Sequence, residues 1–383
     1  MHWKKRLIRK LGDVAKHIRC KLAFASRIAT ASSASLKSFD DFVRLLSNPR
    51  FCAELTNEAA RSSEFSFLDQ TISPDAARDL IREVLLNGFT RDAVVELPES
   101  ESKPLSLRHC LRKGICLPEF RRDFPLLLKR RGLIADLLFH VHIEKCGGHA
   151  LFALLAQNGY RAWHRRALEF SGWVEYVKHL AHFMQERDKP AYLVGHYDLR
   201  ELLQFVNPGE LLVIPIREPA ERLISLVNYI FMVLEDDPEL SRPGVREFAQ
   251  MLEGKIRPQD HTLEALIELP AVREKMMTQI SRRLTVDNFA RNSVVGATVI
   301  ATDSLQRWVD ECGSRHGLRG QVPRENVSKK FYQSDMLAPS AWKRLRLLMR
   351  DDYAYWELMK DSLGERGYGQ IQISELAGLS RRD

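Results

Sequence analysis

No apolar run in the chain approaches the ~18 residues that a membrane-crossing helix needs, so none of its 383 residues reads as part of a transmembrane segment. No Cys-x-x-Cys pair occurs; the six cysteines, Cys20, Cys52, Cys110, Cys116, Cys146 and Cys312, are scattered. Cys110 and Cys116 flank a basic loop but lack a second pair to complete a zinc site, which leaves free thiols in a reducing compartment. The G-x-x-x-x-G-K-[ST] spacing of a Walker A loop is missing, and no Asp stands clearly at a strand end to hold Mg²⁺. Both gaps weigh against a nucleotide kinase. There is no internal repeat, and no dense Arg/Lys stripe interleaved with aromatics of the kind nucleic-acid binding calls for. Acid is nearly missing from residues 1–36, where Asp13 stands alone.

The chain otherwise has the composition of a globular protein, 45% hydrophobic and 28% charged. A net charge of +8 favours acidic partners (nucleotides, nucleic acid, anionic glycans or a membrane surface) without choosing among them. In the basic segment 1–36, Trp3, Leu7, Leu11, Ala15 and Ile18 fall on one helical face among Lys4, Lys5, Arg6, Arg9 and Lys10. That pattern suits a membrane-surface helix, a targeting segment or a solvated helix packed on the domain. Lys21 and Arg27 break up the one candidate core of a secretory signal. Residues 29–35 read as a linker. Residues 37–130 read as a helical appendage, with helices expected over 39–46, 76–86 and 121–129 and a polar loop over 96–104.

From 131 to 365 the pattern changes to strands alternating with helices, the mark of a parallel sheet with crossover helices. Strands are expected over 137–143, 192–196, 210–217 and 293–302, and helices from 150 and over 220–234, 303–312 and 340–361. Residues 366–383 read as a loose tail. The stretch around which this region is organised is DLLFHVHIEKCGGHALFALL, residues 136–155: a buried strand, the turn Glu144-Lys145-Cys146-Gly147-Gly148, then a helix. Turn N–H groups and a free helix N-terminus converge on one spot, and the lysine adds a full charge, which is a way to hold phosphate. The glycines let an anion approach the backbone. Plain structure is the competing reading.

A second anion signal follows in IREPAERLISLVNYI, residues 216–230. Arg217 ends a strand, and Arg222 and Ser225 lie one turn apart on the next helix, an arginine fork and hydroxyl suited to a terminal phosphate. The alternative is a helix start neutralised by Glu218 and Glu221 with Arg222 in a surface pair. His140 and His142 alternate onto one strand face, but no carboxylate or third histidine stands at a matching spacing, so no metal site is expected.

These residues carry a resemblance. HVHIEKCGGHAL resembles the 5′-phosphosulfate loop (HIPKTGGTS) of the carbohydrate sulfotransferases, both heparan 2-O-sulfotransferase-like and bacterial. IREPAERLISLVNYI resembles their 3′-phosphate motif, R-[DE]-P-x-x-R-x-x-S-x-x-x-Y, and VVGATVIATDSLQRWVDECG and PRENVSKK resemble later blocks. The resemblance spans about residues 133–360 and leaves the first ~130 outside it. It implies a P-loop-like, three-layer α/β domain that takes 3′-phosphoadenosine-5′-phosphosulfate (PAPS) as co-substrate with no metal required. Lys145 would contact the 5′-phosphosulfate and its bridging oxygen, within a loop of Cys146, Gly147, Gly148, His149 and Ala150. Arg217 and Ser225 would hold the 3′-phosphate, and Asn326, Ser328 and Lys329 would approach the cofactor.

The acceptor hydroxyl needs a base. His196 ends the strand before the 3′ motif, where the 2-O-sulfotransferases place a catalytic histidine, and a neutral imidazole can accept a proton at physiological pH. Glu144 is the rival, standing where the family has proline. Two departures bear on activity: Cys146 replaces a threonine, and His149-Ala150 replaces a Thr-Ser pair. Cys146 in a cationic turn is expected to have a lowered pKa and to be open to oxidation. The expected protein is a cytoplasmic, bacterial-type sulfotransferase acting on a carbohydrate, glycolipid or other hydroxyl acceptor, with no nucleic-acid partner. The alternatives are a non-catalytic binder of anionic ligands with a degenerate loop, and a phosphoryl transferase on a related fold, which Mg²⁺ dependence would distinguish.

Overall fold

Short apolar runs separated by amphipathic stretches build an α/β fold around a mostly parallel sheet. The computed structural model describes residues 36, 39–56, 68–73, 76, 77, 80, 105–134, 137–164, 173–186, 188–236, 243–252, 257–286, 295–324 and 328–379. The basic segment, the linker, the 96–104 loop, most of the expected 76–86 helix and Asn326 lie outside them. The chain forms two compact units, Met1–Leu127 with Ala167–Glu186, and Leu128–Arg166 with Arg187–Asp383.

In the first unit, helix Trp173–Gln185 packs on helices Phe39–Leu46 and Pro49–Thr56. Helix Leu107–Cys116 is capped by Ser106, whose Oγ accepts from His109 N–H. Its Arg112 donates to the Leu55 carbonyl at 3.0 and 3.1 Å, satisfying the orphan end of helix Pro49–Thr56. Among the described residues this unit carries structure without a chemical constellation, and Cys52 and Cys110 are buried and form no disulfide.

The second unit holds a six-stranded sheet. The strands and the helices that bear on the site are, in chain order, β1 (Leu137–His140), α1 (Gly148–Gln157), β2 (Arg161–His164), β3 (Ala191–Val194), β4 (Leu212–Ile216), α2 (Pro219–Asp236), α3 (Gln279–Leu284), β5 (Gly296–Ala301), α4 (Leu305–Cys312), α5 (Arg350–Leu363) and β6 (Tyr368–Gln372). The strand order is β2-β3-β1-β4-β5-β6, parallel except for β6. β1 and β4 are buried along their whole length, as strands of a parallel sheet covered on both faces must be. Pro215 is tolerated in β4 because its edge points past the end of β1: Val213, two residues earlier, is the one whose carbonyl accepts from Val141.

One sheet face packs Leu138, Tyr192, Val213 and Ile300 against Leu151, Leu155, Leu305 and Trp308 of α1 and α4. A second apolar cluster forms around α2, whose residues up to the last turn are buried except along one stripe. The chain leaves β1 toward β2 and β3 on one side, then crosses to β4 and β5 on the other. The carboxyl ends of β1 and β4 therefore flank a topological switch point, where open α/β sheets form a crevice.

Two expectations are corrected. The loose tail is instead β6, paired antiparallel to β5, followed by helix Ile373–Leu379; Ile371 and Leu376 are buried. The single helix expected over 340–361 is two, Pro339–Leu348 and α5, broken at Met349 (φ −102°, ψ 19°). Strand β2, which the sequence reading did not foresee, pairs only with β3. Among the described residues no helix is long and apolar enough to cross a membrane.

Candidate functional site

The switch-point crevice is built by the turn after β1. Cys146 N–H closes it onto the Ile143 carbonyl at 3.2 Å, and Lys145 at its third position has φ 65°. Glycine or asparagine suits that position; a lysine there holds roughly 1–2 kcal/mol of backbone strain, and such outliers gather at ligand sites. Gly147 (φ 83°) caps α1, whose first-turn N–H groups have no intrahelical acceptor. Gly148 is small for another reason: a Cβ there would lie 2.4 Å from His142 Cδ2 and 3.2 Å from His140 Cε1.

Lys145 Nζ donates to Ser328 Oγ at 3.2 Å and sits 4.5 Å above the centre of the Tyr229 ring. Burial, and secondarily the Arg217 charge, push its pKa down to about 8. An anion between the two cations would reverse the second effect. Arg217, at the end of β4, is half-exposed and reaches Glu221 at 3.8 Å. On α2, Glu221, Ser225, Tyr229 and Met232 are the partly exposed positions of a helix otherwise buried up to its last turn. They recur at i, i+4, i+8 and i+11, one continuous stripe. That stripe carries Ser225 on the face that presents Tyr229 to Lys145.

His196 follows Gly195 at the end of β3. Its Nε2 is 3.6 Å from Glu144 Oε1 and its Nδ1 is 3.4 Å from the His142 carbonyl oxygen. A carbonyl only accepts, so the tautomer that suits this contact carries the proton on Nδ1 and turns Nε2 toward Glu144. The two rival bases are thus neighbours. The His196 ring stacks on His142 (4.6 Å, 11°), and His142 stacks on His140 (5.5 Å). Burial drives the pKa of His140 down to about 3 and that of His142 well below its usual range, so both are neutral at physiological pH. Among the described residues, no three His, Cys, Asp or Glu side chains gather around a metal-sized point.

Comparison with protein-family models, curated proteins and solved structures finds no match.

The site therefore rests on its own geometry, which departs from the sequence reading in two places. Cys146 is fully buried, with Arg217 N–H donating to its sulfur, and burial pushes its pKa up to about 12. The reactive-thiolate expectation is overturned: the whole residue is buried and its N–H is already bonded to the Ile143 carbonyl. Arg222 is not part of an anion fork. It is buried, its guanidinium 4.0 Å from the buried Asp352 and bonded to the Met276 carbonyl. Asp352 in turn accepts from Ile280 N–H, Ser281 N–H and Ser281 Oγ at 3.1, 2.7 and 2.8 Å, holding the first turn of α3. Of the alternative reading, the surface pair fails, but the helix start is met by Glu218, whose Oε2 accepts from Glu221 N–H at 2.8 Å.

Lys145 and Ser328 come together. Lys329 pairs instead with Glu235 at 2.6 Å on the exposed end of α2. His149 is exposed, its ring set edge-on to His142 at 5.4 Å, and Ala150 packs on the core behind the loop. The sequence reading gave no role to Tyr229, although it stands one turn beyond Ser225 on the same helical face.

Proposed function

We propose that this chain is a PAPS-dependent sulfotransferase of P-loop-like architecture, acting in the cytoplasm on a hydroxyl of a carbohydrate or other acceptor. The observation that carries the reading is the meeting of Lys145, Arg217, Tyr229 and Ser328 at the carboxyl ends of β1 and β4. Two cations, a helix start and a glycine turn in one crevice suit a ligand with anionic groups at more than one point.

Bound PAPS would supply a sulfuryl group attached to a phosphate leaving group. Lys145 would neutralise the charge that builds on the departing phosphate oxygen as the S–O bond breaks. The first-turn N–H groups of α1 would hold the same end, while Arg217 and Ser225 would hold the 3′-phosphate. His196 would take the acceptor's proton on Nε2 as the new O–S bond forms, and the Glu144 carboxylate beside it would steady the imidazolium. The inward-facing Cys146 and the methyl of Ala150 leave the loop without side-chain hydroxyls. That favours one alternative, a protein that binds the nucleotide and transfers nothing.

Calorimetric titration with 3′-phosphoadenosine-5′-phosphate tests the reading. Micromolar binding to the wild type, weakened about 30-fold in Arg217→Ala, is expected (~2 kcal/mol). No binding to the wild type would sink the proposal. Binding without sulfuryl transfer to any acceptor would select the alternative.

A further inference from the structure

We infer that the groove between Pro258–Glu264 and Phe331–Met336 is a binding site for an uncharged sugar, and that this sugar end of the acceptor distinguishes the protein from one that takes polyanionic glycans. Its role as an acceptor site rests on the sulfuryl-transfer reading; its preference for a neutral sugar does not.

The groove has a volume of about 500 Å³. Phe331, Tyr332, Leu263 and Met336 give it an apolar wall, and Met336 is 51% exposed, one of the most exposed large apolar side chains among the described residues. Tyr332 is fixed from both ends: its backbone N–H donates to Asn228 Oδ1 at 2.9 Å, and its hydroxyl donates to the Pro258 carbonyl at 2.6 Å. A rigid aromatic wall facing polar Gln259, Thr262 and Glu264 suits a sugar ring, which offers one apolar face and a rim of hydroxyls. The carboxylate and amide can accept and donate at that rim.

Charge decides the class. The chain as a whole carries +8, yet among the described residues that line this groove there is no Lys or Arg, and the ionisable side chains that face a sugar are one carboxylate, Glu264, and one imidazole, His261, beside the Tyr332 phenol. Asp260 stands close enough to raise the proton affinity of Tyr332 further, after burial. Where the groove continues past Pro258 and Gln259 it meets Arg257 and Glu235, and the nearby Lys329 is already paired with Glu235. A uronate or sulfated sugar would lie against the Glu264 carboxylate, with Arg257 set in the continuation of the groove rather than in its lining.

Position joins the groove to the reaction. Phe331 is three residues from Ser328, which contacts Lys145, so at most about 11 Å of backbone separates the groove edge from the lysine's partner.

Saturation-transfer NMR on the full chain, with and without 3′-phosphoadenosine-5′-phosphate, tests the inference. The probes are cellotetraose (uncharged) and unsulfated chondroitin tetrasaccharide (uronate-bearing). Cellotetraose is expected to bind at least tenfold more tightly. Phe331→Ala and the surface change Met336→Lys are each expected to weaken it about tenfold while leaving nucleotide affinity within twofold. Met336→Lys should also narrow the gap between the two sugars. The inference is overturned if cellotetraose does not bind, if chondroitin binds as well, if folded variants bind cellotetraose like the wild type, or if they lose the nucleotide instead, which would assign the groove to it. Cellotetraose binding to a wild type that ignores the nucleotide would uphold the groove and remove the donor reading alone.

Discussion

Gly148 shows how a residue can be read correctly in kind and incompletely in cause. The glycine pair was legible as a place where an anion reaches backbone. The sequence could not show that β1 would stack His140 and His142 under this helix start, because that contact needs the fold. A Cβ at 148 would lie 2.4 Å from a ring atom of His142, and that ring is held between His140 and His196. Gly148→Ala is therefore expected to cost about 1–3 kcal/mol through overpacking. In denaturant melts the double variant Gly148→Ala/His142→Ala should be less destabilised than the sum of the singles, by about 1 kcal/mol or more. Simple additivity would mean that the ring is not what Gly148 makes room for. Cys146 is the converse case. Its neighbours in sequence suggested an activated thiol, and only burial reveals an inert one.

Among the elements, those with strong periodicity were legible. The helix expected over 39–46 is there, and α2 extends the expected 220–234 by one residue before and two after. The strand expected over 137–143 outruns the observed ladder, because Val141 and Ile143 stay buried after the pairing ends. Edge elements were not legible: β6, YGQIQ, buries only Ile371, and β2 has four residues and one neighbour. Within α2 the fault lay in polarity. Arg222 looked solvent-facing because it is charged, yet the helix turns it inward to Asp352 and leaves Glu221, Ser225 and Tyr229 at the crevice. Arg222→Met should lower unfolding free energy by about 3–5 kcal/mol, since it strands a buried carboxylate. Under conditions where the variant is folded, its nucleotide affinity should stay within twofold of wild type. Intact stability with lost binding would return Arg222 to the site.

At the scale of the whole molecule, the basic charge balance says little about the site, since the crevice gathers Lys145 and Arg217 while the neighbouring groove carries acid. The histidine stack makes the clearer global statement, about acid. Burial pushes the folded-state pKa of His140 down to about 3, against about 6.5 in an unfolded chain. Above pH ~6.5 neither state binds the proton, and His140 adds no pH dependence. Below it the unfolded chain takes up the proton and the folded one does not, so stability falls as pH drops, by up to about 1.4 kcal/mol per unit until the folded pKa is reached. His142 has its pKa lowered the same way, by burial first and then by His140, His196, His149 and Arg283, and adds in the same direction. Asp352, whose pKa burial raises, opposes them, because its folded form takes a proton more readily than its unfolded one. His140→Phe isolates one member of the stack. Chemical denaturation of wild type and variant should give a difference in unfolding free energy that is constant above pH 7. That difference should move in the variant's favour by roughly 1 kcal/mol or more between pH 6.5 and 5. Parallel curves across that range would mean that His140 is reached by water or protonated in the fold, and the neutral stack behind the loop would have to be abandoned.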